Sequence, residues 1–305
     1  MEDYPKNLEE LETRFNNEQA CRDYLFSLRW PDGFRCPRCD HAKAWTMNDS
    51  LFRCASCGYK CSITSGTIFE GTRKPLIVWF RAIWWVASQK NGASAKNIQR
   101  VLELGSYKTA WVWLHKLRRA MIRPGRDKLS GLVEVDETYI GGKKPGKRGR
   151  GAEGKTLVAV AVEDKGENKI GRIRLNIIPD ASSTSLTSFA KECIEGNSTI
   201  RTDDWQGYSD LRFSGYSHEI AKSADLKIAH LVISLLKRWL LGTHQGAVSR
   251  EHLAYYLDEY TFRFNRRTSN HRGKLFYRLL QNAMEIEPTK YRAMVQNVRG
   301  RDHNI

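Results

Sequence analysis

Two groups of residues in this sequence have the types and spacing of ligating or reactive side chains. CPRC at 36–39 and CASC at 54–57 set four cysteines in two CxxC steps, 14 residues apart. Cys36, Cys39, Cys54 and Cys57 can converge as four thiolates in a tetrahedron, which suits a structural Zn²⁺. A redox role would need one such pair, not two. The seven cysteines are odd in number, which speaks for metal ligation in a reducing cytoplasm over a disulfide framework. Cys61 and His41 lie near enough to substitute as ligands, but Cys61 reads more simply as a free thiol, and Cys21 and Cys193 as buried ones. The second group is LVEVDETYIGG at 132–142. Val133, Val135, Thr138, Tyr139 and Ile140 give it strand character, and two glycines end it. Glu134, Asp136 and Glu137 are costly inside such a strand unless something pairs with them.

Those residues need elements to hold them. A hairpin of Ala44, Trp45 and Thr46 with Leu51, Phe52 and Arg53 would join the two cysteine pairs. Residues 1–31 read as a helical lead-in, 32–71 as a zinc ribbon and 72–130 as three helices. Ser94 and Ser106 are candidate N-caps, with Gly105 at the break between them. The last two helices have the form of a helix-turn-helix, and the second carries Lys108, His115, Lys116, Arg118 and Arg119 as a DNA-facing or solvated basic side. From 131 the pattern changes. LVEVDETYI, KTLVAVAVE, KIGRIRLNII and NSTIRTD are four strands, with a helix over 182–195 before the last. Strand-strand-strand-helix-strand is the order of a ribonuclease-H-like mixed sheet flanked by helices, expected over 131–285 with a tail at 286–305. In that architecture strands one and four are neighbours, so Asp136 and the acids Asp203 and Asp204 meet. Paired carboxylates can hold Mg²⁺ between them; salt bridging to the 50 Lys and Arg residues is the alternative use.

The formal net charge is +16 over 305 residues. Such an excess favours a polyanionic partner, nucleic acid or an anionic surface. Residues 141–155 interleave Lys143, Lys144, Lys147, Arg148, Arg150 and Lys155 with glycines. That composition builds no core and can follow a phosphate backbone. No run of 18 apolar residues suggests a membrane span, and the acidic start MEDYPKNLEE lacks the composition of a targeting peptide.

VEVDETYIGG, TDDWQGY, SLLKRWLLGTHQGAVS and RFNRR, in that order, resemble DDE-class insertion-sequence transposases of the zinc-ribbon, ISXO-like branch. The resemblance runs from about Cys36 to beyond Tyr277. It implies that Asp136 and Asp203 are the first two catalytic acids. It also implies that the third position is His230, with Lys237 seven residues on. One helix carrying all of His230, Ser234 and Lys237 would align them in a single stripe. The sequence ADLKIAHLVISLLKRWLLG around them is apolar nearly all round, as expected of a buried helix. Glu134 and Glu137 match no catalytic position, and Asp225, Glu219 and Glu251 are competing acids. The segment between His218 and His230 is shorter than is usual in the family.

The resemblance implies a DNA transposase with Mg²⁺ or Mn²⁺, two ions in all, at Asp136, Asp203 and His230. Element ends would be cut by metal-dependent hydrolysis, and the 3′-hydroxyls joined to target DNA. Double-stranded DNA is the expected partner, bound by a homodimer or higher oligomer associated with a bacterial nucleoid. Two alternatives stay open: an internally deleted, inactive DNA-binding remnant, and a ribonuclease-H-like nuclease that does not join strands.

Overall fold

The computed structural model describes residues 2–47, 50–123, 125–141, 155–167, 169–246 and 248–295. It divides into two compact units, one of residues 1–123 with 269–304 and one of residues 124–268.

The first unit opens with α1 (Leu8–Arg14) and α2 (Glu18–Arg29), each capped by an asparagine side chain, Asn7 and Asn17. Three short strands follow: β1 (Ala44–Thr46), β2 (Leu51–Cys54) and β3 (Lys60–Ser62), antiparallel in sequence order. Their inner face presents Phe52, whose ring meets those of Phe26, Trp30 and Phe34. Then come α3 (Leu76–Ser88), α4 (Ala95–Val101) and α5 (Tyr107–Ala120). Ser94 accepts from the Asn97 amide as expected, whereas Ser106 occupies its N-cap without a side-chain bond. Trp79 of α3 and Trp113 of α5 stack with centroids 3.7 Å apart. The N-cap of α3 is Pro75, which has no acceptor side chain; Glu18 reaches over from α2 and accepts from Leu76 N at 2.9 Å and Ile77 N at 3.4 Å.

The second unit is a mixed sheet. β4 (Leu132–Ile140), β5 (Thr156–Asp164) and β6 (Ile170–Ile177) run antiparallel; α6 (Ser183–Cys193) leads to β7 (Thr199–Thr202), parallel to β4. A fifth strand, β8 (Ser217–Ile220), pairs parallel with β7, giving the order β6-β5-β4-β7-β8. This is the ribonuclease-H-like arrangement, with the first and fourth strands adjacent. Alternation along β4 sorts its side chains. Val133 and Val135 join Leu186, Phe189 and Tyr208 on one face, under α6 and a 3-10 helix, Gln206–Phe213. On the other face Val158, Val160 and Ile173 pack against α7 (Lys227–His244) and α8 (Leu253–Phe264).

Two expectations need correction. The apolar run 224–242 forms a helix that is buried on one side only. Ile228, Val232, Ile233, Leu236 and Leu240 face the core, while Leu231 and Leu241 are 48% and 67% exposed. A sheet covers just one face of a helix, so apolar side chains on the far face stay in water. The second is the boundary at 285. α9 (Arg272–Glu285) belongs with the first unit, where Phe276 meets Phe15, Phe80 and Trp84. A short α10 (Tyr291–Val295) follows it. No described helix is long and apolar enough to cross a membrane.

Candidate active site and zinc centre

The two cysteine pairs close on each other in the first unit. The Sγ atoms of Cys36, Cys39, Cys54 and Cys57 all lie within 4.8 Å of one another, with Cys36–Cys57 at 3.7 Å and Cys39–Cys54 at 3.6 Å. Four sulfurs 2.3 Å from a tetrahedral centre stand about 3.8 Å apart, so the donor set fits Zn²⁺. Each pair sits on a turn whose fifth residue is left-handed, Asp40 in one and Gly58 in the other, and the N–H of that residue donates a hydrogen bond to the first cysteine's carbonyl. Backbone N–H groups of Cys57 and Ser56 pull the Cys54 thiol down to about 6, the thiolate form a metal takes. Cys61 is outside this group and buried at 3%, the free thiol expected. His41 is exposed and contributes its carbonyl to the Cys36 amide.

In the second unit the three acids of VEVDET have separate employments. Glu134 and Asp136 project from the same face of β4, toward α7. The Glu134 carboxylate accepts from Ile228 N at 3.1 Å and Ala229 N at 2.9 Å. The N-cap of α7 is Leu226 and supplies no side-chain acceptor, so this acid satisfies two otherwise orphaned amides and meets the positive end of the helix. Burial pushes Glu134 above the ordinary carboxylate range, while those amides and Arg201 oppose it. Glu137 faces the other side, where the buried Tyr208 donates to it at 2.6 Å. Tyr208 reaches that point because Gly207 lets the 3-10 helix press against Ala181: a Cβ there would lie 2.3 Å from the Ala181 carbonyl oxygen.

Asp136 is engaged differently. Its Oδ1 accepts from Glu137 N at 2.8 Å, and its Oδ2 lies 3.3 Å from His230 Nε2. Burial, with the like charges of Glu137 and Asp203, drives it up to about 6 against the pull of that amide and of His230. A buried carboxylate short of positive charge is what a divalent cation would relieve. Asp203 follows β7. The parallel ladder runs to Glu134 opposite Arg201, and Asp203, two residues further on, is near enough for its charge to act on Asp136. Its backbone is tied down: Thr202 donates to the Asp203 carbonyl at 2.7 Å and contacts His218 Nε2 at 2.8 Å. The Asp203 carboxylate accepts from Trp205 N at 3.1 Å, just ahead of the 3-10 helix, whose N-cap position has no side-chain bond.

His230, Ser234 and Lys237 line one cavity of about 440 Å³ with Asp136, Glu137, Thr138 and Ile233. Burial lowers the Lys237 ammonium, Asp136 raises it, and the nearby charge of Lys155 lowers it further. Lys155 is thus near enough for its charge to act on Lys237. Lys143, Lys144, Lys147, Arg148 and Arg150 lie outside the described residues.

Of the cations expected to face DNA from α5, two point inward. Arg118 is 2% exposed, and Lys116 Nζ donates to the Ile68 carbonyl at 2.7 Å, with burial lowering its charge affinity. Helical spacing explains it: Ala110, Trp113, Leu114 and Leu117 form the buried stripe, and positions 116 and 118 border it. Arg119 is half-buried; Lys108 is exposed, its Nζ 3.7 Å from the Tyr291 ring centroid.

Residues 128–265 match the ISXO2-like transposase domain, and residues 16–60 match the transposase zinc-ribbon domain. An uncharacterized protein in transposable element ISH50 of Halobacterium salinarum is 26% identical over 281 residues, covering 82% of this chain and 91% of that one. Among solved structures, the catalytic core domain of BIV integrase is 18% identical with a TM-score of 0.29, over 43% of this chain and 82% of its own. A Mos1 transposase paired-end complex is 12% identical with a TM-score of 0.30, over 71% and 77%.

Proposed function

We propose that this chain, which belongs to the ISXO2-like transposases with an N-terminal zinc ribbon, cuts and rejoins DNA at a divalent-metal site on Asp136, Asp203 and His230. The observation that carries the reading is the approach of His230 Nε2 to Asp136 Oδ2, 3.3 Å apart on different elements, in a cavity that Lys237 also lines. Mg²⁺ or Mn²⁺, two ions for an in-line displacement, would activate the attacking oxygen and stabilise the leaving one. Asp136 and Asp203 hold the positive charge; His230 offers a neutral ring nitrogen and must be deprotonated to do so. Lys237 meets a phosphate oxygen of the scissile strand, and Glu134 keeps the helix bearing both residues seated on the sheet. The substrate is double-stranded DNA: water cuts the element end, and the freed 3′-hydroxyl attacks a target phosphodiester and displaces its 3′ oxygen. No protein side chain enters a covalent intermediate. The chain would act on the nucleoid, as a homodimer or larger assembly that presents two ends together.

The short link before α7 is the feature that favours an inactive remnant. Against it stands the seating of the helix: Lys222 and the 3-10 turn Ser223–Asp225 suffice to deliver Leu226, and Glu134 receives the first turn. The test is a joining assay with a labelled DNA end, in Mg²⁺ and in Mn²⁺. The parent should cut and join, with Mn²⁺ favoured because imidazole suits borderline ions better than Mg²⁺. His230→Ala should lose most cutting with both metals. Cutting without joining would leave a nuclease; binding without cutting would leave the remnant.

A further inference from the structure

The three-stranded ribbon has two faces, and they differ sharply. Its inner face carries Phe52, Cys54 and Cys61 toward the aromatic cluster and the thiolates. On its outer face the register sets Trp45 opposite Arg53, and Arg53 opposite Lys60. Directly opposed side chains share a face, so the three form one row, roughly 10 Å long at the usual strand spacing. Trp45 is 59% exposed, and both cations are exposed as well. Lys43 extends the same face, since its carbonyl continues the ladder by accepting from Ala55 N at 2.9 Å. Among the described residues no acid lies on this face, and Arg53, Lys60 and Lys43 have no ion-pair partner.

The informative feature is the combination on one face: an exposed tryptophan ring in a row with cations. We propose that this outer face binds unpaired DNA, with a base stacked on Trp45 and the flanking phosphates on Arg53 and Lys60. The chemistry selects that occupant. A tryptophan face with neighbouring cations is the element that single strands use, because every unpaired base has a free π-face. Bases inside a duplex stack on one another and offer none. A second copy of the same face is disfavoured by three like charges, and one isolated aromatic makes no apolar interface core. The inference rests on the DNA-processing reading for the identity of its partner, and adds a contact that the zinc ligands and the cavity in the second unit do not supply.

The experiment uses the full-length, zinc-loaded chain and a fluorescein-labelled dT15 oligonucleotide, followed by anisotropy across a salt series. Trp45→Ala should weaken dT15 binding about 5- to 150-fold, the range for loss of one stacked base. Trp45→Phe should recover most of that. Arg53→Gln with Lys60→Gln should reduce the slope of log K against log salt by about 1.4, two single-strand phosphate contacts. Zinc content measured on each variant shows that the ribbon is intact. A Trp45→Ala protein that keeps its zinc and binds dT15 like the parent overturns the proposal. So does one that changes oligomeric state at unchanged dT15 affinity, which would mark a protein-docking face. A parent that cuts no DNA yet binds dT15 through Trp45 would sink the transposase reading and leave this face standing.

Discussion

The ribbon brings four cysteines to one point and the sheet brings Asp136 against His230, and they do so by opposite means. In the ribbon the four sulfurs come from two tight turns 14 residues apart. The turns themselves present the donors, and little else is needed. In the second unit, Asp136, Asp203 and His230 come from β4, the residue after β7 and the first turn of α7. Nothing local brings them together; strand pairing sets β7 beside β4, and a buried glutamate seats the helix. The first centre is therefore part of the fold's stability, while the second is a strain the fold carries. Burial and like charge hold Asp136 away from its ionised form, whereas amides draw the Cys54 thiol toward its own.

That contrast can be broken in several places. The largest effect is expected at the ribbon. Cys54→Ser should abolish zinc binding and remove on the order of 10 kcal/mol of coupled folding energy. Elemental analysis and calorimetry would show a zinc-free protein whose first unit has lost its transition while the second still melts. Next in size, Asp136→Ala and Asp203→Ala should each cut strand cleavage by at least ~10³-fold, the scale of lost electrostatic stabilisation at a reacting phosphate. Zinc content should not change, and gel assays with the labelled end would read it.

The sign at Asp136 gives a sharper test. Its folded value, about 6, lies above the ordinary 3.8, so the ionised form opposes folding. Asp136→Asn keeps the acceptor for the Glu137 amide and removes the charge. In metal-free protein it should stabilise the second unit by up to roughly 3 kcal/mol above pH 6, with the gain vanishing below about pH 4. Mg²⁺ should raise the melting temperature of the parent and leave that of the variant unmoved. An unchanged melting curve at pH 7.5 would mean that Asp136 is not under charge stress.

The smallest effects compare the two remote caps. Glu18 and Glu134 perform the same service for α3 and α7, helices whose own N-caps are Pro75 and Leu226. Either change to Ala should cost about 1–3 kcal/mol. Glu134→Ala should also lower cleavage, with Glu134→Gln restoring part of it, because the amide oxygen still accepts. Glu18→Ala should destabilise the first unit and leave the rate constant of cutting as it was.

Much of this was legible in the chain. The cysteine spacing, the hairpin, the strands of 132–203 and the stripe of His230, Ser234 and Lys237 all follow from local pattern. Three things did not. β8 is a four-residue edge strand, SHEI, mostly exposed, and so shows no buried alternation. The partner of Glu134 lies 94 residues away, and an acid in a strand does not say whether it awaits a cation or a helix end. Arg118 and Lys116 look like surface cations by type, yet they border the buried stripe of α5 and are drawn in.

The return of α9 to the first unit has a consequence for how the chain is made. The sheet unit is in effect inserted into the helical one, and Phe276, a core aromatic of the helical unit, arrives after the whole sheet has left the ribosome. The sheet's own contacts are complete by residue 268, so it is able to fold first during synthesis. Until Phe276 arrives, Phe80 and Trp84 wait without one of their partners. A protein truncated just past the RFNRR motif would keep every residue of the cavity and leave that aromatic surface open, a nascent chain suited to capture by a chaperone and poor at surviving alone.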